Sequence, residues 1–197
     1  MGRRNRAGLA LSPKMRRAGA SDDKCLLHTY ARMTTNRQAS GDRGVALVVR
    51  CCKCPRCKRK GTLKRLPANF KCADVICDFC GYLAQVKTKA LTKIPANLAG
   101  AAWVPQKERM DAGIYFPLFL VLLGQPNKPM IYYLSADVQS PVMFQARKPL
   151  SGNARRAGWQ GVMYNFASVK AAFVRVWPED PNFSAARDAV RPPKTLG

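Results

Sequence analysis

Two Cys-x-x-Cys pairs nineteen residues apart, Cys54-Pro55-Arg56-Cys57 and Cys77-Asp78-Phe79-Cys80, constrain this chain more than any other feature. A Cys-x-x-Cys turn aims two sulfurs at one point, and four thiolates in tetrahedral array hold zinc. The spacing between the pairs is that of a zinc ribbon. Seven of the eight cysteines crowd into residues 51–80. A disulfide framework would spread them and would suit a secreted chain, so the clustering points to a metal knuckle and a reducing cytoplasm. The register has an alternative, because Cys51 and Cys54 also form a Cys-x-x-Cys, with Cys52 and Cys72 nearby. Pro55 inside the turn favours the Cys54/Cys57 pair. Such a site has no open coordination position, so its role is structural and its folding depends on the metal. Cys25 reads as a buried or free thiol.

The charge narrows the partners. Among 197 residues, 34 Lys and Arg face 11 Asp and Glu, a net charge of +23. That excess repels itself in a compact state and calls for a polyanion. Nucleic acid is the first candidate and an anionic membrane surface the second. The longest apolar run, Ile114–Leu123, is ten residues and contains Pro117, whereas a membrane-spanning helix needs roughly 20. Residues 1–20 are Arg-rich and free of acids. They lack the apolar core of a secretory signal and read as a disordered basic arm, with a DNA-contacting arm as the sharper alternative. The remaining length, 21–197, suits a single domain with 47% apolar residues to fill its core.

Along the chain, residues 21–40 have room for a short helix. The β-branched run Val45–Val49 reads as a strand leading into the first Cys-x-x-Cys, and Lys58–Pro67 as a basic loop. Phe70–Ile76 and Tyr82–Thr88 read as strands. Ala96–Met110 has helical composition, with Pro105 as a break or a helix start. Tyr115–Leu123 and Met130–Leu134 read as a hairpin across the turn at 124–127. Ala171–Trp177 is a late strand and Phe183–Val190 a last short helix. Strands with a few helices predict an α/β or α+β domain.

One carboxylate, Asp74, precedes the second Cys-x-x-Cys, and Gln85-Val86-Lys87 follows it. Metal-dependent phosphodiester cleavage needs a carboxylate to anchor a divalent cation, a second oxygen ligand, and a lysine for the charge that develops on phosphate. Strand alternation puts Gln85 and Lys87 on one face and Val86 on the other. Asp74 then falls on the neighbouring strand. This is the layout of a PD-(D/E)XK nuclease with Gln85 in the second acidic slot, where it offers a neutral oxygen. The plainer reading makes Asp74 a surface residue and 85–89 an edge strand. His28, the single histidine, reads as a surface residue, and Trp103 and Trp177 as core packing.

Three blocks together resemble the DpnI-type restriction endonucleases, the Dam-replacing family. They are Cys54-Pro55-Arg56-Cys57; Ala73–Cys80 with Gln85-Val86-Lys87; and the basic run Arg147-Lys148-Pro149-Leu150-Ser151-Gly152-Asn153-Ala154-Arg155-Arg156-Ala157-Gly158-Trp159-Gln160-Gly161. The resemblance implies a PD-(D/E)XK mixed sheet flanked by helices, with an inserted zinc knuckle over 54–80. It implies zinc on Cys54, Cys57, Cys77 and Cys80. It also implies catalytic Mg²⁺ on Asp74 and Gln85, with Lys87 as the catalytic lysine. The family cleaves double-stranded DNA at G-A-T-C sites bearing N6-methyladenine. Familiar members also carry a C-terminal winged helix, for which the residues up to Gly197 leave no room. The expected function is a type II, methyl-directed deoxyribonuclease of a restriction-modification system. The alternatives are a zinc-ribbon DNA-binding protein whose site is disabled by Gln85, and an RNA-associated basic protein.

In the third block, Arg155 and Arg156 offer guanidinium forks for phosphate or a guanine edge. Lys148 adds a charge and Trp159 an aromatic face. On residue type alone this reads as a basic loop held down by one core tryptophan; the resemblance makes it a DNA contact. Burial of one methyl group is worth roughly 0.8 kcal/mol, about a fourfold preference. Strong methyl dependence would therefore need two methylated strands, an aromatic cage, or a pocket that traps water when the methyl is missing.

Overall fold

The computed structural model describes residues 36–178, apart from 69, 71, 126 and 127. The basic arm at 1–20, Cys25, His28, most of the short helix expected within 21–40 and the last helix at 183–190 lie outside the described residues. The first element corrects the sequence reading. Val45–Val49 belongs not to a strand but to helix α1, Asn36–Cys51. Its buried positions, Gly44, Val45, Leu47 and Val48, recur at helical spacing and make one apolar stripe. The modest helix penalty of valine is outweighed by packing that stripe on a sheet.

Three strands follow the helix: β1 (Leu63–Arg65), β2 (Val75–Cys77) and β3 (Leu83–Lys89). Next come β4 (Asn97–Trp103), helix α2 (Val104–Asp111), β5 (Leu118–Leu122) and β6 (Met130–Leu134). The chain continues through β7 (Phe144–Ala146), α3 (Gly152–Arg156), β8 (Trp159–Asn165) and β9 (Val174–Trp177). The strand expected at 70–76 is confined to its last residues, and the one expected at 171–177 begins only after a 3-10 turn over Ala167–Ala172.

One six-stranded sheet has the order β1-β2-β3-β5-β6-β9. The β3–β5 pair is parallel and the other pairs are antiparallel, so the sheet is mixed and the fold is α+β. The hairpin expected across 124–127 is the β5–β6 pair. Every residue of β5 is buried, and its alternation sorts the two sides. Phe119 and Val121 join Val45, Val48 and Val86 in one core; Leu118, Leu120 and Leu122 join Leu98, Val162, Tyr164 and Phe166 in the other. Helix α1 therefore covers one face. Its approach to β3 is close enough that a Cβ on Gly44 would lie 1.8 Å from Thr88 Oγ1.

The second face departs from expectation, since a three-stranded antiparallel sheet, β4-β8-β7, packs there and brings Leu98, Ala102, Val162 and Tyr164 into that core. The expected helix over 96–110 is instead β4 followed by α2. Alanine-rich β4 pairs with β8 along its full length, from Asn97↔Asn165 to Trp103↔Trp159, and this cross-strand pairing overrides alanine's helical preference. Gly100 is needed in that pairing, because a Cβ there would come within 2.7 Å of the Tyr164 ring. Pro105 does mark a helix start, at the first turn of α2. Among the described residues no helix is long and apolar enough to cross a membrane.

Candidate active site and metal centre

The end of α1 delivers Cys54 into a turn closed by Lys58 N–H on Cys54 O (2.9 Å), with Lys58 at φ 62°. The second turn closes with Gly81 N–H on Cys77 O (2.9 Å), and Gly81 takes φ 69°. The four sulfurs of Cys54, Cys57, Cys77 and Cys80 lie within 4.8 Å of one another. Cys54 and Cys80 are 3.6 Å apart, Cys57 and Cys77 3.7 Å. Four thiolates about 2.3 Å from a zinc ion stand about 3.8 Å from each other. The cluster fits that ion and could hold one.

Cys51, Cys52 and Cys72 stand outside the cluster. Burial, helped by Cys51, pushes the Cys52 thiol up to about 12, so it stays neutral. Cys72 Sγ instead accepts a hydrogen bond from the Arg109 guanidinium (2.8 Å). Within the cluster, burial pushes Cys54 up to about 12. Burial also opposes ionisation of Cys77, but hydrogen bonds from Thr62 and from the Cys80 and Phe79 backbone outweigh it and bring the thiol down to about 6.

Cys77 ends β2, and Asp74 stands immediately before that strand. The Asp74 backbone is tied on both sides, its N–H to Ala84 O (3.0 Å) and its carbonyl to Leu66 N–H (2.9 Å). Val86 N–H donates to Asp74 Oδ2 (2.7 Å). One carboxylate oxygen is thus fixed to the middle of β3, and the other can take a ligand. The β3–β5 register pairs Gln85 with Leu118 and Lys87 with Leu120, which puts both side chains on the face turned toward the smaller sheet. Gln85 Nε2 donates to Cys72 O (3.2 Å). A carbonyl only accepts, so the amide must present its N–H end there and leaves Oε1 for the cleft.

Asp74, Gln85 and Lys87 line one cleft, together with Trp103, Gln106 and Trp159. A carboxylate and an amide oxygen are hard donors of the kind that bind Mg²⁺, so this wall fits a divalent cation. Lys87 Nζ lies 5.6 Å from the centre of the Tyr164 ring. Burial works against its ammonium, but Tyr164 and Asp74 outweigh burial and raise its pKa above the ordinary lysine value. Lys89, further along β3, is lowered by burial and then by Arg37, Arg147 and Lys87. That crowd of cations is what a polyanion would relieve.

Of the basic block, Trp159 lines this cleft. Ser151 Oγ accepts from Ala154 N–H (3.4 Å) and caps α3. Lys148, Arg155 and Arg156 are exposed, and Arg156 reaches Asn153 Oδ1. Gly158 takes φ 81°, and a Cβ there would meet the Trp103 ring at 3.3 Å. Trp159 follows, opposite Trp103, with ring centroids 4.2 Å apart and planes at 33°. Trp103 is therefore not the core residue expected from sequence, whereas Trp177 does pack against the core beside α1. Sequence reasoning missed Trp103, Gln106 and Tyr164 at the site. The signal available was a strand reading of 97–103, which would have set the two tryptophans opposite each other.

No curated protein matches the chain. The family model described as DpnI: Dam-replacing family matches residues 29–179, about three quarters of the chain. That match takes in the cysteine knuckle, the cleft with Asp74, Gln85 and Lys87, and the whole basic block. With so much of its length matched, the chain belongs to the Dam-replacing family.

Proposed function

We propose that this chain is a Mg²⁺-dependent endonuclease that cuts double-stranded DNA at GATC-type sites carrying N6-methyladenine, as a type II restriction enzyme. The family supports a restriction-type nuclease, and one observation carries the metal-dependent cleavage. Asp74, pinned by Val86 N–H, faces the same cleft as Gln85 and Lys87. In this reading Asp74 and Gln85 hold the cation by oxygen, and the Lys87 ammonium stabilises charge that develops on the scissile phosphate. Mg²⁺, when bound, supplies Lewis-acid stabilisation of that charge. Lys148, Arg155 and Arg156 hold the backbone in register, a role that positions DNA without reading it. Trp159, backed by Trp103, offers the aromatic surface for the methyl group.

The knuckle at 54–80 holds zinc structurally in this reading. Its second turn joins β2 to β3, so it fixes Asp74 against Gln85 and Lys87. The nuclease is a single PD-(D/E)XK domain over 21–197, preceded by the basic arm at 1–20. Free thiols in such number suit the cytoplasm.

The test is plasmid cleavage with Mg²⁺, comparing Dam-methylated and unmethylated DNA, with Asp74→Ala alongside. Cuts confined to methylated plasmid and lost in Asp74→Ala are expected. Equal cutting of both plasmids would remove the methyl specificity and keep the nuclease. Binding without cutting by zinc-loaded protein would replace the nuclease with a zinc-ribbon DNA-binding module.

A further inference from the structure

Three polar side chains are buried among the described residues: Gln85, Gln106 and Gln139, at 7%, 5% and 9% exposure. Two of them have partners. Gln139 Nε2 donates to Phe116 O (2.9 Å) and Ser135 O (3.2 Å), and Gln85 donates to Cys72 O. The Gln106 side chain has no hydrogen bond among the described residues, yet it lines the cleft that holds Asp74, Gln85 and Lys87. Its amide opens onto that cleft rather than being sealed in the core, so its partner there is water or a bound ligand.

Its placement follows from the chain. Helix α2 starts at Val104, directly after Trp103, with Pro105 in its first turn, and Gln106 and Met110, four residues apart, are its buried positions. Met110 enters the core. An apolar residue at 106 would continue the same stripe, and an amide stands there instead. Asp74 is the one carboxylate among the described residues lining the cleft, and Gln85 adds a neutral oxygen. Mg²⁺ takes six oxygens and keeps several waters, so this wall alone leaves the ion few protein ligands. Gln106 is as buried as Gln85 and lines the same cleft.

We infer that Gln106 is a further oxygen ligand of the catalytic cation, bound directly or through one of the ion's waters. This rests on the nuclease reading above. It makes α2 the second wall of the cation site, opposite β3, and gives the site two amides and one carboxylate.

The experiment is titration of Mn²⁺, an oxygen-ligated stand-in for Mg²⁺, into the zinc-loaded full chain, with free Mn²⁺ read by electron paramagnetic resonance. Wild type is compared with Gln106→Met, Gln106→Glu and Asp74→Ala. Gln106→Met keeps the volume and should weaken binding about tenfold, and Gln106→Glu should tighten it by a similar factor. Both variants binding like wild type while Asp74→Ala loses the ion would overturn the role of Gln106 and leave the nuclease reading intact. Weaker binding in both variants would mark a packing role and equally overturn it. Wild-type binding indifferent to Asp74→Ala would overturn the cation site itself, and the inference with it.

Discussion

Gln85→Glu is the substitution that restores an acid to the second metal position, and the structure predicts that it carries a cost unrelated to catalysis. Gln85 is 7% exposed, and its Nε2 donates to Cys72 O at 3.2 Å. A glutamate there sets a carboxylate oxygen against that carbonyl. The lost hydrogen bond and the unpaired carbonyl together amount to about 2–3 kcal/mol. For a domain of this size that is a fall in Tm of about 5–10 °C. The deficit depends on pH with a definite sign. A buried glutamate beside Asp74 has its folded-state pKa raised, so the protonated form can still donate to Cys72 O at low pH. Destabilisation therefore begins above the unfolded value of about 4.3 and grows as pH rises toward the folded one. Mg²⁺ reverses it, since an ion at 100 times its Kd returns about 2.7 kcal/mol. The assay is thermal unfolding of zinc-loaded wild type and Gln85→Glu from pH 4 to pH 8, with and without Mg²⁺. Equal Tm values without Mg²⁺ across that range would refute the reasoning. The Gln85 amide would then not be anchored by Cys72, and the outward direction of its Oε1 would lose its support.

Gly44→Ala gains about 1 kcal/mol of helix propensity but drives a Cβ to 1.8 Å from Thr88 Oγ1 and 2.9 Å from Thr88 Cβ, an overpacking that costs about 1–3 kcal/mol. A net loss in denaturant unfolding is expected, and Thr88→Ala should restore only part of it because rotation cannot move the Thr88 Cβ. Cys77→Ser, or chelation of the zinc-loaded chain, removes binding free energy that for structural zinc runs to about 10–16 kcal/mol, so the melt should lose its cooperativity and cleavage should be lost with it. Because the Lys87 pKa is raised, its ammonium persists past the unfolded value of about 10.4; the pH–rate profile should show no alkaline limb from Lys87 below about pH 10, and a limb near pH 8 that moved in Tyr164→Phe would contradict this. Trp159→Ala should lower the methylated-to-unmethylated cleavage ratio by about fourfold or more, and an unchanged ratio would remove Trp159 from methyl recognition.

Much of the fold was legible where local and global signals agree. Met130–Leu134 is apolar, short and bounded by a turn, and it is a strand with those limits. Buried β5 was equally plain, because a central strand with a parallel neighbour has no polar face to obscure it. The failures share a cause. Val45–Val49 carries β-branched residues, but its apolar stripe begins at Gly44, a position whose value lies in contact with Thr88 some forty residues away. Likewise β4 looks helical because it is rich in alanine, and it is a strand because β8 pairs along its whole length and the Tyr164 ring lies against Gly100. In both places the residue choice answers a tertiary neighbour that no local window contains.

The candidate site divides along the same line. Cys54, Cys57, Cys77 and Cys80 announce themselves because a metal cluster imposes a fixed spacing within each turn. Asp74, Gln85 and Lys87 were legible because a hairpin of adjacent strands imposes alternation. Trp103 and Gln106 were not, because they reach the cleft from a second sheet and its helix, which meet β3 only by long-range packing. The first wall is built by short-range chain geometry and the second by long-range packing. A change on the first wall, such as Gln85→Glu, should therefore act on the bound ion and on local stability together. A change on the second, such as Gln106→Met, should separate them, with cation affinity falling while the knuckle and the β2–β3 hairpin keep their stability.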